Sequence, residues 1–389
     1  MTNFVFQKKV SDPAMVWSDI IFGDQVRSRS LPASLTLGVL KGEGIGPDVI
    51  QAALLVLSAV ESIGHNRFEV KFGGLIGEEA ESQCGESLSE EVAKFCRDVF
   101  LKHGAILCGP GGGRFVYDLR RRFDLFCKLS PLKVSAELIH ASHIKSTYLQ
   151  NVDILLVREN VSGIYQGRWK EIHTQAEGRR AEQIFFYTES QVRRIIEVAV
   201  RIAAHRHGKI ALPIKDAGIP TISKLWRDCA AEIAAQYGVE YSLFNVDHMA
   251  YQLVQNPQDF DVIIASNLFG DILADLGGVL LGSRGLTYSG NFSNTGAAVY
   301  QTNHGACYDL KGKNQANPVG QIYSLAMLLR ESFGLFREAC LIECAIADVW
   351  RQGWRTADLD EAGCRVSGTK EMGDLIADSL IKLSRTNVQ

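Results

Sequence analysis

The chain has no excess of basic charge, no long apolar run and no paired cysteine motif, and each absence excludes a class of protein. Its 389 residues carry a formal net charge of −3, with an isoelectric point near 6.3. There is therefore no general basic field to hold nucleic acid or an acidic membrane. The longest apolar runs, such as residues 52–57, are too short to span a bilayer. We expect neither nucleic acid nor a membrane among its partners.

The cysteines and the N-terminus both favour a cytoplasmic protein. Nine cysteines are scattered along the chain and none forms a Cys-x-x-Cys pair, which is typical of a reducing compartment. The first residues mix Lys8, Lys9 and Asp12 and lack the apolar stretch of a signal peptide. Residues 1–33 are predicted to be an extension ahead of the first core strand.

Strand-like and helix-like segments alternate along the chain, which predicts an α/β fold with strands buried on both faces. The length suits two domains, and the absence of a Ser/Pro-rich linker is compatible with a discontinuous domain pair. The predicted strands are 35–40, 68–72, 105–108, 152–157, 209–214 and 262–265, and the predicted helices are 47–62, 90–102, 189–205, 222–237, 319–333 and 335–351. Residues 164–187 break the alternation, because apolar ends flank a charged middle; this pattern indicates either a protruding β-arm or an ordinary exposed hairpin.

Two aspartates are the most informative pair in the sequence. Asp271 and Asp275 follow a buried-strand pattern at 260–266 and stand four residues apart on a predicted helix, so their Cβ atoms lie about 5–6 Å apart on one face. Such a pair repels unless a positive charge lies between, and a hard cation such as Mg²⁺ or Mn²⁺ takes carboxylate oxygens. The alternative is a solvated acidic face, which the apolar residues around the pair disfavour.

Basic residues precede and follow the strands that would lead to this pair. Arg114 and the run Arg120–Arg122 could grip carboxylates through forked donors, or could form a solvated face. Arg158 stands at the end of a buried strand, seven residues before Tyr165. Strand ends are where α/β sheets bind ligands, so we expect these two residues near a site.

A lysine and a third aspartate are further candidates. Lys215 ends another apolar strand, and a lysine held near Arg158 and a cation would have a lowered pKa and could move protons near neutrality. The alternative is a lysine that simply leaves the sheet. Asp247 could supply a third carboxylate to the metal.

Two glycine-containing loops bear on cofactor binding. The segment from Gly42 to Gly46 lacks the Gly-x-Gly-x-x-Gly spacing of a Rossmann loop, so a tight turn beside an active site is predicted instead. Residues 304–318 form a polar loop before an apolar helix. Such a loop can wrap an adenine ribose, and an acid such as Asp309 would accept both ribose hydroxyls and repel a 2′-phosphate, which favours NAD over NADP.

Together these motifs resemble the β-decarboxylating dehydrogenase family, which includes isocitrate, 3-isopropylmalate, homoisocitrate and tartrate dehydrogenases. The resemblance runs from about residue 35 to the C-terminus. Its matching pieces are Gly42–Pro47, Leu119–Phe126, Val157–Tyr165, Asn267–Asp275 and His304–Pro318.

The resemblance implies a two-domain α/β fold of the isocitrate/isopropylmalate dehydrogenase type, with a central cleft and no Rossmann domain. Residues 34–125 and 282–389 would form the cofactor-binding domain, and residues 126–281 the substrate and dimerisation domain with the arm at 164–187. It also implies a homodimer with shared active sites, in which one subunit gives Lys215 and Asp247 and the arm clasps the partner.

The same resemblance implies a role for each candidate residue. Hydride would pass from a hydroxy-di- or tricarboxylate to NAD⁺, Lys215 would help to take the hydroxyl proton, and Tyr165 would protonate the enol carbon after CO₂ leaves. The implied metal ligands, for Mg²⁺ or Mn²⁺, are Asp247, Asp271 and Asp275. The implied substrate-binding residues are Arg114, Arg120, Lys128, Ser130 and Arg158, and the implied cofactor-binding residues are Asn267, His304, Gly305, Asp309, Leu310 and Asn317.

Departures from the family pattern point to a specialised substrate. The family usually has Arg at Ser130, Asn at Ala217 and Glu at Gln301; Lys128 or Arg121 could compensate for the first loss. Arg114 favours a polar or anionic substituent on the malate. The expected function is therefore NAD- and metal-dependent oxidative decarboxylation of a 3-substituted malate. The alternatives are an isopropylmalate- or tartrate-type activity and a catalytically silent regulatory paralogue.

Overall fold

The computed structural model describes residues 16–22, 34–64 and 66–386. Most of the predicted extension at 1–33 lies outside the described residues. Within it, residues 16–22 contain a short helix, α1 (Ser18–Ile21). Ile20 and Ile21 of this helix are buried in the main hydrophobic core, so this part of the extension packs onto the body of the protein.

Fourteen strands lie in the described part of the chain, and ten of them form one sheet. In chain order the strands are β1 (Leu35–Leu40), β2 (Phe68–Phe72), β3 (Ala105–Cys108), β4 (Cys127–Lys133), β5 (Asp153–Glu159), β6 (Arg168–Thr174), β7 (Gly178–Ile184), β8 (Lys209–Ile214), β9 (Glu240–Asn245), β10 (Val262–Ala265), β11 (Tyr288–Phe292), β12 (Ala298–Thr302), β13 (Trp354–Arg355) and β14 (Arg365–Val366). The sheet order is β2-β1-β3-β12-β11-β4-β5-β10-β8-β9.

The sheet is parallel at both ends and antiparallel in the middle. The pairs β12–β11, β11–β4 and β4–β5 are antiparallel, and the other pairs in the sheet are parallel. Strands from the two ends of the chain make one half of the sheet, and strands from the middle of the chain make the other half. The halves meet at β4 and β11. The division into two domains stays a prediction, and this seam is where the proposed domains would meet.

Helices cover both faces of the sheet, as the α/β prediction requires. In the described residues they are α2 (Gly46–Ile63), α3 (Gly77–Cys84), α4 (Glu90–Leu101), α5 (Phe115–Arg122), α6 (Ser146–Leu149), α7 (Glu189–Ala204), α8 (Pro220–Tyr237), α9 (Val246–Gln255), α10 (Asn267–Leu281), α11 (Val319–Phe333), α12 (Phe336–Arg351) and α13 (Thr369–Thr386). Local sequence explains their ends: Thr188 and Gln191 form a capping box on α7. Pro220 begins α8, and Gly238 ends that helix in the left-handed region.

The predicted strands and helices lie within two residues of the observed ones. Helix α2 is long and apolar enough to cross a membrane by length and composition, but half of it is buried. A Cβ placed on Gly373 of α13 would lie 3.0 Å from the Cβ of Ala52 in α2. This close helix packing identifies α2 as a core helix.

The region that breaks the alternation is an antiparallel hairpin. Strands β6 and β7 pair from Arg168–Ile184 to Thr174–Gly178 and form their own two-stranded sheet. Trp169 and Ile184 on this hairpin are large apolar residues that remain exposed. Residues 164–187 thus contain an exposed β-arm, and its contact with a partner subunit stays a prediction.

Candidate active site

Strands β4 and β5 place two cations side by side at the seam. Lys128 pairs with Arg158 across these antiparallel strands, so both side chains project from the same face. Helix α10 covers this face at close range, since a Cβ on Gly270 would lie 2.7 Å from Cγ of Arg158. Glycine at 270 therefore lets the aspartate helix lie directly on the arginine.

Arg158 holds the N-terminal turn of α10. Its Nη1 donates to Oδ1 of Asp271 at 2.5 Å, and its Nη2 donates to Oδ1 of Asn267 at 2.7 Å. The hydroxyl of Tyr165 donates to the second oxygen of Asp271 at 3.0 Å. Four predicted site residues are thus joined in one hydrogen-bonded group.

This group sets the protonation of its members. Burial raises the pKa of Asp271, but Arg158 and Lys128 outweigh burial and the net pKa is lowered, so the carboxylate stays ionised. Burial and the neighbouring Asp271 raise the pKa of Tyr165 to about 12. The phenol therefore keeps its proton at neutral pH and can donate it.

Positive charge exceeds negative charge in this cluster. Arg120 on α5 and Lys128 are both buried. Burial and then the Arg158 charge lower the pKa of Arg120 to about 9, and burial followed by Arg120 and Arg158 lowers the pKa of Lys128 well below its usual value. Neither side chain has a carboxylate within salt-bridge distance among the described residues. Three buried basic residues lie near the Asp271 and Asp275 carboxylates, and only Arg158 forms a salt bridge with either of them, so the cluster is suited to bind an anionic ligand.

Ser130 lies on the same face of β4 as Lys128, two residues further along. It is buried and accepts a hydrogen bond from Nδ2 of Asn303 at 3.4 Å. Residues two apart on a strand are separated by about 6.6 Å. Lys128, the buried basic residue of this strand, therefore lies about 6.6 Å from position 130, where the resemblance leads one to expect an arginine.

Asp275 lies one turn after Asp271 on α10, as predicted, and accepts a hydrogen bond from Arg284 at 2.8 Å. Across the described ranges, no group of three or more His, Cys, Asp or Glu side chains could hold a metal. The two α10 carboxylates suit a divalent cation by their chemistry, but one chain does not bring a third carboxylate to them. Within one chain the donor set is therefore two carboxylates, and water, substrate or a second chain would have to supply the remaining ligands.

Lys215 and Asp247 form a separate pair. Lys215 directly follows β8 and Asp247 lies in the first turn of α9, and the distance from Nζ of the lysine to Oδ1 of the aspartate is 2.5 Å. Hydrogen bonding to Lys215 lowers the pKa of Asp247. Both side chains are exposed, and no hydrogen bond joins them to Arg158, Tyr165 or the α10 aspartates within the described structure. The structure thus brings these two predicted residues to each other but not to the rest of the site.

The loop after β12 carries the predicted cofactor residues. His304 is buried and its Nδ1 lies 3.0 Å from the Gly305 carbonyl oxygen, whereas its Nε2 is buried without a hydrogen-bond partner in the described residues. Asn317 is engaged, since its Nδ2 donates to Asp358 at 3.0 Å. Asp309 and Gly305 are exposed, and Leu310 packs beside Ile45 and Val49. An unpaired buried nitrogen next to open loop positions fits a bound ligand such as a dinucleotide.

The turn from Gly42 to Gly46 lies against this loop, in agreement with the prediction of a tight turn. Gly44 has φ +58°, and a Cβ there would lie 1.9 Å from the Ala306 carbonyl oxygen, so glycine is required. Sequence reasoning missed Glu43 in the same turn. Its buried carboxylate accepts from the amides of Glu79 and Gly112 at 2.5 and 2.6 Å, and it thereby fixes the loop that precedes Arg114.

Comparisons with known proteins identify the family of this chain. A family model described as isocitrate/isopropylmalate dehydrogenase matches residues 36–376. The chain is 37% identical to the 3-isopropylmalate dehydrogenase of Aquifex aeolicus over 361 residues, which cover 89% of this chain and 97% of that protein. The 3-isopropylmalate dehydrogenase of Heyndrickxia coagulans is 38% identical, with 89% and 96% covered.

Solved structures give the same result. The crystal structure of isocitrate dehydrogenase from Methylococcus capsulatus is similar with a TM-score of 0.79 and 30% identity, and covers 89% of this chain and 99% of that chain. The resemblance inferred from the motifs and the predicted fold class are confirmed.

Proposed function

Because the chain belongs to the isocitrate/isopropylmalate dehydrogenase family, we propose that it is an NAD- and divalent-metal-dependent enzyme for the oxidative decarboxylation of a 3-substituted malate with an anionic substituent. The single observation that carries an anionic substrate is the group of three buried basic residues Arg120, Lys128 and Arg158, of which only Arg158 forms a salt bridge among the described residues. A ligand with several carboxylates would supply the missing negative charge.

The proposed chemistry assigns a task to each side chain. Arg120, Arg158 and Lys128 bind the substrate carboxylates and orient the one that departs as CO₂. Lys215 helps to take the proton from the 2-hydroxyl, and Tyr165 holds a proton at its hydroxyl for the enol carbon. When bound, NAD⁺ accepts the hydride and a divalent cation on Asp247, Asp271 and Asp275 supplies a Lewis acid for the hydroxyl and carboxylate oxygens.

A homodimer completes this proposal. Lys215 and Asp247 lie apart from the α10 aspartates within one chain, so they would act in the site of the partner. Apolar side chains are exposed on α9 and α10, including Tyr251, Ile272 and Val279. Exposed apolar residues on adjacent helices are typical of an interface. Symmetric pairing of these helices would bury them and bring the lysine of one subunit to the aspartates of the other.

The cofactor loop supports NAD rather than NADP. Asp309 is exposed on this loop, five residues after His304, whose buried Nε2 has no hydrogen-bond partner among the described residues. A carboxylate there would accept ribose hydroxyls and repel a 2′-phosphate. We place the enzyme in the cytoplasm, since all nine cysteines are free.

The experiment is NADH formation with Mn²⁺ across isocitrate, homoisocitrate, 3-isopropylmalate, tartrate, malate and a phosphonomethyl malate isomer, with CO₂ measured in parallel. Turnover with CO₂ release from a member that carries a third anionic group is the expected result. Turnover of tartrate without CO₂ release would show that the enzyme oxidises its substrate without decarboxylation. Binding of neither NAD⁺ nor Mn²⁺ would favour a silent regulatory paralogue.

A second candidate is 3-isopropylmalate itself. The names of relatives at 37% and 38% identity favour it. Preference for 3-isopropylmalate over every anionic member would establish this candidate and remove the anionic substituent from the proposal.

A further inference from the structure

Arg114 is held between two aromatic rings. Its guanidinium carbon lies 4.6 Å from the ring centroid of Trp169 and 5.3 Å from that of Tyr117. Trp169 belongs to β6 of the exposed arm, and Tyr117 belongs to α5, of which Arg114 is the N-terminal cap residue. The arm therefore reaches over Arg114, the residue that we expect from the sequence to meet the malate substituent.

Tyr117 links this arginine to the reacting groups. The ring centroid of Tyr117 lies 5.3 Å from that of Tyr165. The guanidinium carbon of Arg120 lies 6.0 Å from the Tyr117 ring centroid. The carbonyl oxygen of Tyr117 accepts a hydrogen bond from Nε2 of Gln166 at 3.0 Å. One aromatic ring thus contacts the proposed proton donor and two proposed substrate-binding cations.

Competing contacts of Arg114 are weak. Its Nε lies 3.8 Å from Oδ1 of Asp118, and its Nη2 lies 3.4 Å from the carbonyl oxygen of Tyr165. The Arg114 side chain is 42% exposed, and Trp169 is 57% exposed. The orientation of the Arg114 side chain therefore depends on stacking against Trp169 and Tyr117. Its guanidinium remains open to a ligand that enters along α5.

We infer that Trp169 and Tyr117 are positioning residues for substrate specificity: they hold Arg114 where it binds the anionic substituent of the malate. This inference rests on the proposed function. The arm then has a second task besides any contact with a partner subunit, because its tryptophan is part of the substituent pocket. Tyr117 additionally aligns Tyr165 with the reacting carbon.

The test compares Trp169→Ala with Trp354→Ala. Trp354 stacks on Arg365 at 4.2 Å, away from the site, so its variant loses a similar cation–π contact without a predicted effect on the substrate. A cation–π contact of this kind corresponds to a change of about 2- to 30-fold. We expect Trp169→Ala to raise KM by this factor for the substrate with an anionic substituent, with kcat and the KM for unsubstituted malate unchanged. Trp169→Phe retains a ring and should restore most of the loss.

Tyr117 is tested by two substitutions. Tyr117→Phe keeps the ring and should behave as the wild type, whereas Tyr117→Leu should raise KM for the anionic substrate and also lower kcat, because Tyr165 loses its neighbour. If Trp169→Ala and Trp354→Ala change the selectivity between anionic and unsubstituted malate equally, the inference is wrong. Equal unfolding temperatures of all variants exclude a general loss of structure.

A binding measurement separates this inference from the proposed reaction. Calorimetric titration of the full-length protein with tricarballylate and Mn²⁺ needs no turnover. Weaker binding by Trp169→Ala than by Trp354→Ala supports the inference even if no substrate in the panel reacts. Equal binding by the two variants, or no binding by the wild type, overturns it.

Discussion

Arg158 and Asp271 form the central contact of the site, with Nη1 of the arginine 2.5 Å from Oδ1 of the aspartate. The arginine side chain is 1% exposed and the aspartate side chain 42%, so the carboxylate neutralises a buried charge and still faces the open side of the site. This arrangement lets one residue balance the arginine and present an oxygen to a cation.

Asp271→Asn should abolish metal-dependent turnover, with a fall of more than about 100-fold, because both functions of the carboxylate are lost. The free energy of unfolding should fall by about 1–3 kcal/mol, a range reduced from that of a fully buried pair because the aspartate is half-exposed. Mn²⁺ binding, NADH formation and urea unfolding measure these effects. Asp228→Asn, on the exposed face of α8, is the control; unchanged turnover in Asp271→Asn would remove this residue from the metal site.

Mixing of two inactive variants tests whether active sites are shared. Lys215→Met and Asp271→Asn should each be inactive as pure proteins. If these residues act in the same site from different subunits, random re-pairing leaves about a quarter of the sites with both native residues in a symmetric dimer. Recovery of roughly that fraction of wild-type activity after co-refolding is the expected outcome. No recovery, together with demonstrated mixed dimers, would place both residues in one chain.

Lys128→Met should change stability and activity in opposite directions. Methionine retains the length of the side chain and removes a buried amine whose charged form is disfavoured by burial and by Arg120 and Arg158, so the free energy of unfolding should rise by about 1–3 kcal/mol. Loss of a charged hydrogen bond to the substrate should lower kcat/KM for an anionic substrate by about 10- to 100-fold. Lys133→Met on the same strand is the control, since that side chain is 73% exposed. A destabilised Lys128→Met protein would contradict the charge argument.

Sequence patterns gave the parallel ends of the sheet more reliably than its centre. Strands β1, β3 and β10 are short apolar runs that are buried throughout, and such runs can be recognised in the sequence as buried strands. Strand β4 did not, because Lys128, Ser130 and the proline at 131 interrupt its apolar pattern. These polar residues are buried because they line the candidate site. The apolar pattern that identifies a strand is therefore lost where the sheet changes from parallel to antiparallel pairing.

The candidate site, like the sheet, was predicted only in part from the sequence. The motif spacing indicated Arg158, Tyr165 and the α10 aspartates, and the structure joins the first two to Asp271. The contact of Arg114 with Trp169 depends on how the arm folds back over α5, and no local pattern encodes it. Glu43 was missed because a single acid inside a glycine turn carries no spacing signal, although its partners lie at 79 and 112.

Asp309→Lys should shift cofactor preference toward NADP⁺. The substitution replaces an exposed negative charge with a positive one, which would attract a 2′-phosphate and lose the ribose contacts. We expect the ratio of kcat/KM for NADP⁺ to that for NAD⁺ to rise by about 10-fold or more, in proportion to the change of one or two charged hydrogen bonds. Lys313→Asp on the same loop is the control for net charge, and an unchanged ratio in Asp309→Lys would remove this residue from the ribose contact.

Glu331 should make the stability of the protein depend on pH. This buried residue of α11 accepts the Ser18 amide at 2.9 Å, and burial raises its pKa to about 7, with Asp19 adding to the effect and Ser18 and Arg330 opposing it. In the unfolded chain a glutamate has a pKa near 4.3, so the folded state binds the proton more tightly. That contribution is fully present below about pH 4.3 and is lost as pH rises through 7, a change of about 4 kcal/mol in the free energy of unfolding.

Glu331→Gln removes the titration and keeps an oxygen that can accept the Ser18 amide. The variant should therefore match the wild type near pH 4 and become more stable than it by pH 8, as measured by urea unfolding at each pH. Glu197→Gln, on the exposed face of α7, should show no such divergence. If the difference between Glu331→Gln and the wild type stays constant across this range, the carboxyl does not titrate there, and the contact between α1 and α11 is independent of pH.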